Sequence, residues 1–245
     1  MTYYRRDLAR VHHLGFGFHA DRCAEGVLAL LAPVRESGGL VVELGCGSGL
    51  LTRHLVDAGH RVLATDASPA MLALAREHVP EAEIASLVLP EEPIPAADAI
   101  VSVGHVLSYL DDNDAVECAL ANAARALRPG GILAIDLCDL EWGTVRRDER
   151  PRGWAAEDWA LVLETSTPSP DRYVRQMAIF TRNDDGSWHR DDERHDNVLV
   201  DTAALTGLLA REGVEASVGH SFGAEQLPPG LRTITGRRVA GPAPD

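Results

Sequence analysis

The sequence has few cysteines, few aromatics, no surplus of positive charge and no long apolar run, and each shortage removes a class of protein. The four cysteines among 245 residues, Cys23, Cys46, Cys118 and Cys138, lie far apart. They offer neither the paired spacing of a zinc site nor the density of a disulfide scaffold, so no metal site is expected and a reducing cytoplasm is the natural compartment. Aromatic residues make up 5% of the chain, too few for a stacking platform along nucleic acid bases. A formal net charge of -14 argues against broad contact with phosphate backbones or anionic lipid. No apolar run approaches the roughly 20 residues that span a bilayer, and the opening MTYYRRDLAR leads into no signal-type apolar segment. The expectation is a soluble, unprocessed protein whose partner is a small molecule rather than nucleic acid or membrane. Composition says nothing about oligomeric state.

What the chain does have is a sizeable apolar share, 45%, enough to bury one α/β core. LVVELG is a short β-branched run, GLLTRHLVDAGH has helical spacing, and RVLATD is a second apolar run. Ser68 is placed to cap the next helix, with Pro69 at its first position and Pro80 beyond its end. EIASLV, DAIVSVGHVL and ILAIDL supply three more strands, with the helix AVECALANAARAL before the last. Such alternation predicts a mostly parallel sheet flanked by helices. From Trp142 the pattern changes to strand-like WALVLETS, RYVRQMAIFTRN and SWHRDDERHDNVLV, separated by the turn-rich TPSPD and NDDG. The helix TAALTGLLAREG and the strands EASVGHSF and LRTITGRR close the chain.

The stretch VVELGCGSGLL falls at the carboxyl end of the first strand, where open α/β sheets build ligand sites. Gly45, Gly47 and Gly49 let the backbone turn tightly and approach a ligand. A dinucleotide fingerprint requires its last glycine where this chain has Leu50, which weakens an NAD-dependent oxidoreductase reading. Asp66, ending the second strand, is placed to accept hydrogen bonds from ribose hydroxyls.

ELGCGSG, followed by LATDASPAML and ALRPGGILAIDL, resembles the class I S-adenosylmethionine-dependent methyltransferases, strongly over residues 40–137. GFG near the start, SVGHVLSYLDD and LPPGLRTITGRR extend the resemblance to bacterial small-molecule methyltransferases. It implies a Rossmann-like fold and S-adenosylmethionine as cofactor. It places the methionine portion along Gly45, Cys46, Gly47 and Gly49, with Glu43 orienting it, and the ribose on Asp66 beside Ala67. Met71 would pack on the adenosine. Many relatives carry an acid after the third strand for the adenine amino group. This chain reads IASLVLPEEP there, which leaves the Ser86 hydroxyl and the Leu87 backbone as candidates. Val103 and Gly104 would lie near the sulfonium.

Methyl transfer relies on proximity and alignment, and a base assists when the nucleophile carries a proton. His105 follows the Val103–Gly104 strand end and suits that task, or alternatively packs over the cofactor. Tyr109 closes the same pocket or belongs to the core. The segment YYRRDLARVHHLGFG resembles a lid, in which Tyr4 reaches the methionine carboxylate and His12 reaches substrate or cofactor; an amphipathic cover with buried aromatics is the alternative. The expected organisation is one composite domain over 1–245: a helical N-terminal cover at 1–39, a cofactor-binding core at 40–141, and an antiparallel β-rich substrate-side extension with closing strands at 142–245. The expected function is methyl transfer from S-adenosylmethionine to a small-molecule acceptor, by O- or N-methylation. A noncatalytic S-adenosylmethionine-binding protein stands as an alternative beside the oxidoreductase.

Overall fold

The computed structural model describes residues 3–239. Two helices open the chain, α1 (Arg6–Gly15) and α2 (Phe18–Glu36). Then β1 (Leu40–Leu44), α3 (Leu50–Asp57), β2 (Arg61–Asp66), α4 (Pro69–His78), β3 (Glu83–Ser86) and β4 (Ala97–Ser102) alternate. A short 3-10 turn (Val106–Tyr109) leads to α5 (Asn113–Ala126), β5 (Leu127–Cys138) and α6 (Leu140–Arg146). An antiparallel sheet follows, built in sequence order from β6 (Arg152–Ala155), β7 (Trp159–Ser169), β8 (Arg172–Arg182) and β9 (Trp188–Val198). The chain then returns to the first sheet through α7 (Thr202–Arg211), β10 (Val214–Gly219) and β11 (Leu231–Arg238).

The main sheet has the order β10-β11-β5-β4-β1-β2-β3, with β1 to β5 parallel and the last two strands antiparallel. Alternation along its strands fixes its two apolar faces, because successive side chains point to opposite sides. Val42, Ile100, Leu133 and Ile135 pack toward α5 and α7, while Val41, Val101 and Ala134 pack toward α2 and α3. Helix entries follow from local chemistry. The Ser68 hydroxyl accepts from Met71 N at 3.3 Å with Pro69 at the first position, and the Asp112 carboxylate accepts from Ala115 N at 2.8 Å.

Helix α1 rests on the antiparallel sheet: Leu8 and Val11 are buried against Leu161, Met177 and Ile179. The N-terminal cover and the antiparallel sheet therefore form one wall facing the ends of the parallel strands. Several boundaries differ from the sequence expectation. The RPGG stretch lies inside β5 as a bulge, with Ala97 opposite Leu127 but Ala99 opposite Ile132. Strand β4 stops at Ser102, before the VGH segment. Helix α6, at the point where the pattern was expected to turn strand-like, is only seven residues long and is capped by Asp139, too short to show a helical period. Among the described residues no helix is long and apolar enough to cross a membrane.

Candidate active site

The loop after β1 turns on three left-handed glycines, Gly45 at φ 68°, Gly47 at 55° and Gly49 at 82°. At Gly45 the need is steric as well as conformational, because a side chain would overlap Val106. Asp66 fixes the loop from the neighbouring strand: its Oδ2 accepts from Gly47 N at 2.8 Å and its Oδ1 from Ser68 N at 2.7 Å. Each oxygen retains acceptor capacity, which suits a pair of vicinal hydroxyls. Gly49 precedes the first residue of α3, and the Leu50 side chain packs toward Gly17 of the cover. The position where a dinucleotide loop has its last glycine is thus filled by a side chain.

Beneath the loop, Glu43 is buried with Oε2 accepting from the Thr52 hydroxyl at 2.7 Å. Burial pushes its carboxyl up to about 8, against the lowering effect of that hydrogen bond. At the end of β5 the fully buried Asp136 accepts three bonds: from His19 Nε2 at 2.7 Å, Gly104 N at 3.1 Å and His105 N at 2.6 Å. Burial raises a carboxyl, yet here His19 and the backbone donors outweigh it and hold Asp136 below its ordinary range. The same bonds keep the left-handed His105, at φ 48°, in place.

A cavity of about 570 Å³ opens over these strand ends. It brings together Gly45, Cys46 and Gly47 from the loop, Glu43 below it, and Asp66, Ala67 and Met71 from β2 and α4. Leu87 after β3, Val103 and Gly104 after β4, and Tyr4 and Tyr109 opposite complete it. Three expected residues do not line it. Gly49 acts through the turn. Ser86 ends the edge strand β3 exposed to solvent, so the adenine contact expected of its hydroxyl is not formed by the cavity wall. His105 lies with its ring stacked on Tyr109, centroids 5.6 Å apart, and burial depresses its pKa to about 3. The imidazole is therefore neutral but a very weak proton acceptor.

His19, which the sequence did not single out, lines the cavity where His105 does not. Signals for this arrangement were present: Asp136 is an acid inside the apolar run ILAIDL, and a buried acid requires partners. The cover does close the cavity, but Tyr4 is engaged within the protein. Its hydroxyl pairs with that of Tyr109 at 2.8 Å, its N–H donates to Glu193 at 2.9 Å, and its carbonyl accepts from the Ser68 hydroxyl at 2.8 Å. His12 stands edge-on to Tyr4, and burial pushes its pKa down to about 4.

Residues 41–131 match the family described as methyltransferase domain. An uncharacterized methyltransferase of Mycobacterium tuberculosis is 38% identical over 132 residues, 54% of this chain and 50% of that protein. The chain spans about half the length of the curated relatives it matches. Among solved structures, an S-adenosylmethionine-dependent methyltransferase from Clostridium acetobutylicum superposes with a TM-score of 0.80 at 15% identity, covering 95% of this chain and 98% of that one. The sugar N-methyltransferase KedS8 from Streptoalloteichus gives a TM-score of 0.78 at 20% identity, over 98% and 96% of the two chains. The fold is that of the class I S-adenosylmethionine-dependent methyltransferases, and residues 41–131 carry their methyltransferase domain. S-adenosylmethionine is the cofactor of that class, and the residues present fit it. Asp66 supplies acceptors for a ribose, and the loop has no Cβ at its closest turns. Gly104, on the cavity wall, has open space beside it, since a side chain there would meet nothing within 4 Å.

Proposed function

We propose that this protein transfers the methyl group of S-adenosylmethionine to a nitrogen or oxygen of a small molecule, with His19 as the base and Asp136 orienting it. The observation that carries this reading is the His19–Asp136 pair on the wall of the cavity, joined through the same carboxylate to the backbone of Gly104. When bound, S-adenosylmethionine supplies an electrophilic methyl carried on a sulfonium. Asp66 and the glycine loop hold the nucleoside and methionine portions, and Glu43 supports the loop from below. His19 donates its Nε2–H to Asp136, which leaves the other ring nitrogen to take the acceptor's proton. His105 packs on Tyr109 and shapes the pocket. The fold similarity to a sugar N-methyltransferase and the shortage of stacking aromatics both support a small acceptor.

Calorimetry with S-adenosylhomocysteine, S-adenosylmethionine and NAD tests the cofactor. Binding of NAD alone overturns the proposal in favour of an oxidoreductase. A mass-spectrometric screen of cell extract with labelled S-adenosylmethionine then tests transfer, since label found only in protein or nucleic acid excludes a small acceptor. With the acceptor so found, His19→Gln is expected to lower kcat by about 10²- to 10⁴-fold with S-adenosylhomocysteine affinity retained. Normal turnover in that variant removes His19 as the base.

A further inference from the structure

Behind Tyr4 and Tyr109, between the ends of β4 and β5 and the inner face of the antiparallel sheet, lies a second group of polar and aromatic side chains. His105 stands 5.9 Å from Trp142, Trp142 stands 6.0 Å from Tyr173, and Tyr109 stands 5.5 Å from His195, all measured between ring centroids. Arg175 reaches among them from β8, at a register position shared with the buried Tyr173, Met177 and Ile179. One terminal nitrogen, Nη2, donates to the Tyr109 hydroxyl and contacts His195 Nδ1 at 3.4 Å.

Two donors of this group lack an acceptor, and one buried acceptor beside them, Asn197 Oδ1, lacks a donor. Arg175 Nε and Trp142 Nε1 are shut from solvent and have no hydrogen-bond partner. Both atoms are N–H donors only, so whatever satisfies them brings an acceptor. No carboxylate among the described residues pairs with the Arg175 guanidinium. Glu193 is one imidazole away, already accepting from His195 at 2.9 Å, Tyr4 N at 2.9 Å and Arg5 N at 2.7 Å. Asp136 is engaged by His19, Gly104 and His105. Arg146, which stacks over Trp142 at 3.2 Å from the ring centroid, faces Glu149 at 3.8 Å. A buried guanidinium with no anion is costly to keep, and removing it is often neutral or favourable to stability. Its presence in the same group as an orphaned indole N–H points to a ligand that completes the site.

We infer that the methyl acceptor carries a carboxylate, bound by Arg175 and Trp142. The planar guanidinium matches a carboxylate, and one free cation matches one negative charge better than a phosphate dianion. This inference rests on the methyl-transfer reading for its claim that the bound molecule is the acceptor; the anion site itself stands on the orphaned donors. Arg175 meets the cavity through Tyr109, whose hydroxyl it binds and which lines the cavity together with Gly104.

The test uses matched probes that differ only in charge, 4-hydroxybenzoate against 4-hydroxybenzamide and glycine against glycinamide, titrated calorimetrically with and without saturating S-adenosylhomocysteine. At least one carboxylate is expected to bind tenfold or more tightly than its amide. Arg175→Gln is expected to erase the preference. Trp142→Phe, which keeps the ring and deletes the N–H, is expected to weaken the carboxylate three- to tenfold and carries the test if the arginine variant does not fold. S-adenosylhomocysteine affinity is expected to stay within twofold in Trp142→Phe. Equal binding of acid and amide, no binding of either carboxylate, or undiminished carboxylate binding in the variants overturns the inference. Failure of the wild-type protein to bind S-adenosylhomocysteine instead overturns the methyl-transfer reading, and is seen separately.

Discussion

At the ends of β1, β2 and β5 the acids have protein partners: Asp66 holds the loop, Glu43 takes Thr52, and Asp136 takes three donors. Behind the Tyr4 and Tyr109 side of the cavity, on α6, β8 and β9, Trp142 Nε1, Arg175 Nε and Asn197 Oδ1 have none. The acids of the first wall are satisfied within the protein, so they contribute to stability whether or not a ligand is bound. The second keeps buried polar atoms unsatisfied, which the proposed carboxylate site would use for recognition at some expense of stability. Four substitutions can break or sharpen this contrast.

Asp136→Ala should have the largest effect. It strands His19 and two backbone N–H groups, and a loss of about 3 to 5 kcal/mol is expected in denaturant unfolding. A loss below about 1 kcal/mol would mean that the first wall does not depend on this acid. Glu43→Gln should be the most sensitive to pH. With its native-state carboxyl raised to about 8, the contribution of Glu43 to stability is greatest below the ordinary glutamate range near 4.5 and falls as pH rises to 8. Glutamine does not ionise, so the variant should gain on the parent by about 3 kcal/mol between pH 5 and 8.5. Parallel unfolding curves against pH would refute the burial argument. Asp66→Ala removes a charged acceptor, and S-adenosylhomocysteine should bind about 5- to 150-fold more weakly, or roughly 1 to 3 kcal/mol. Unchanged affinity in the folded variant excludes Asp66 from the nucleoside contact. Arg175→Met should have the smallest effect on folding: stability equal to the parent or up to about 1 kcal/mol higher. A large destabilisation there would show that Arg175 completes a structural network, and the two walls would no longer differ.

The β1 and β2 part of the first wall was legible in the sequence because its determinants are local. Gly45, Gly47 and Gly49 sit on one turn, and Asp66 ends the next strand, paired through the register that sets Glu43 beside Ala64. Ser86 lies outside the cavity lining because it ends the edge strand β3 with its side chain exposed, whereas Leu87 turns inward. The second wall is assembled from residues 4, 109, 142, 175 and 195, carried by elements that meet only in the tertiary fold. Strand parity does mark Arg175 as inward-facing, since Tyr173, Met177 and Ile179 share its side of β8. Parity cannot say what an inward cation meets. His19 was hidden for a similar reason. It lies on α2, 117 residues from the acid that orients it, and nothing in FHADRC marks it apart from other helix-surface histidines.

The three bonds gathered by Asp136 also bear on how this pocket can change under selection. Positions 19, 104 and 136 answer to one carboxylate, so substitutions among them should combine non-additively, with interaction energies of about 0.5 to 3 kcal/mol. A variant improved at one of these positions will often be lost when combined with a change at another. Trp142 and Arg175 make no hydrogen bond to that carboxylate. Changes at positions 142 and 175 therefore leave the hydrogen bonds of that carboxylate in place, whereas changes at 19, 104 or 136 call for testing in pairs.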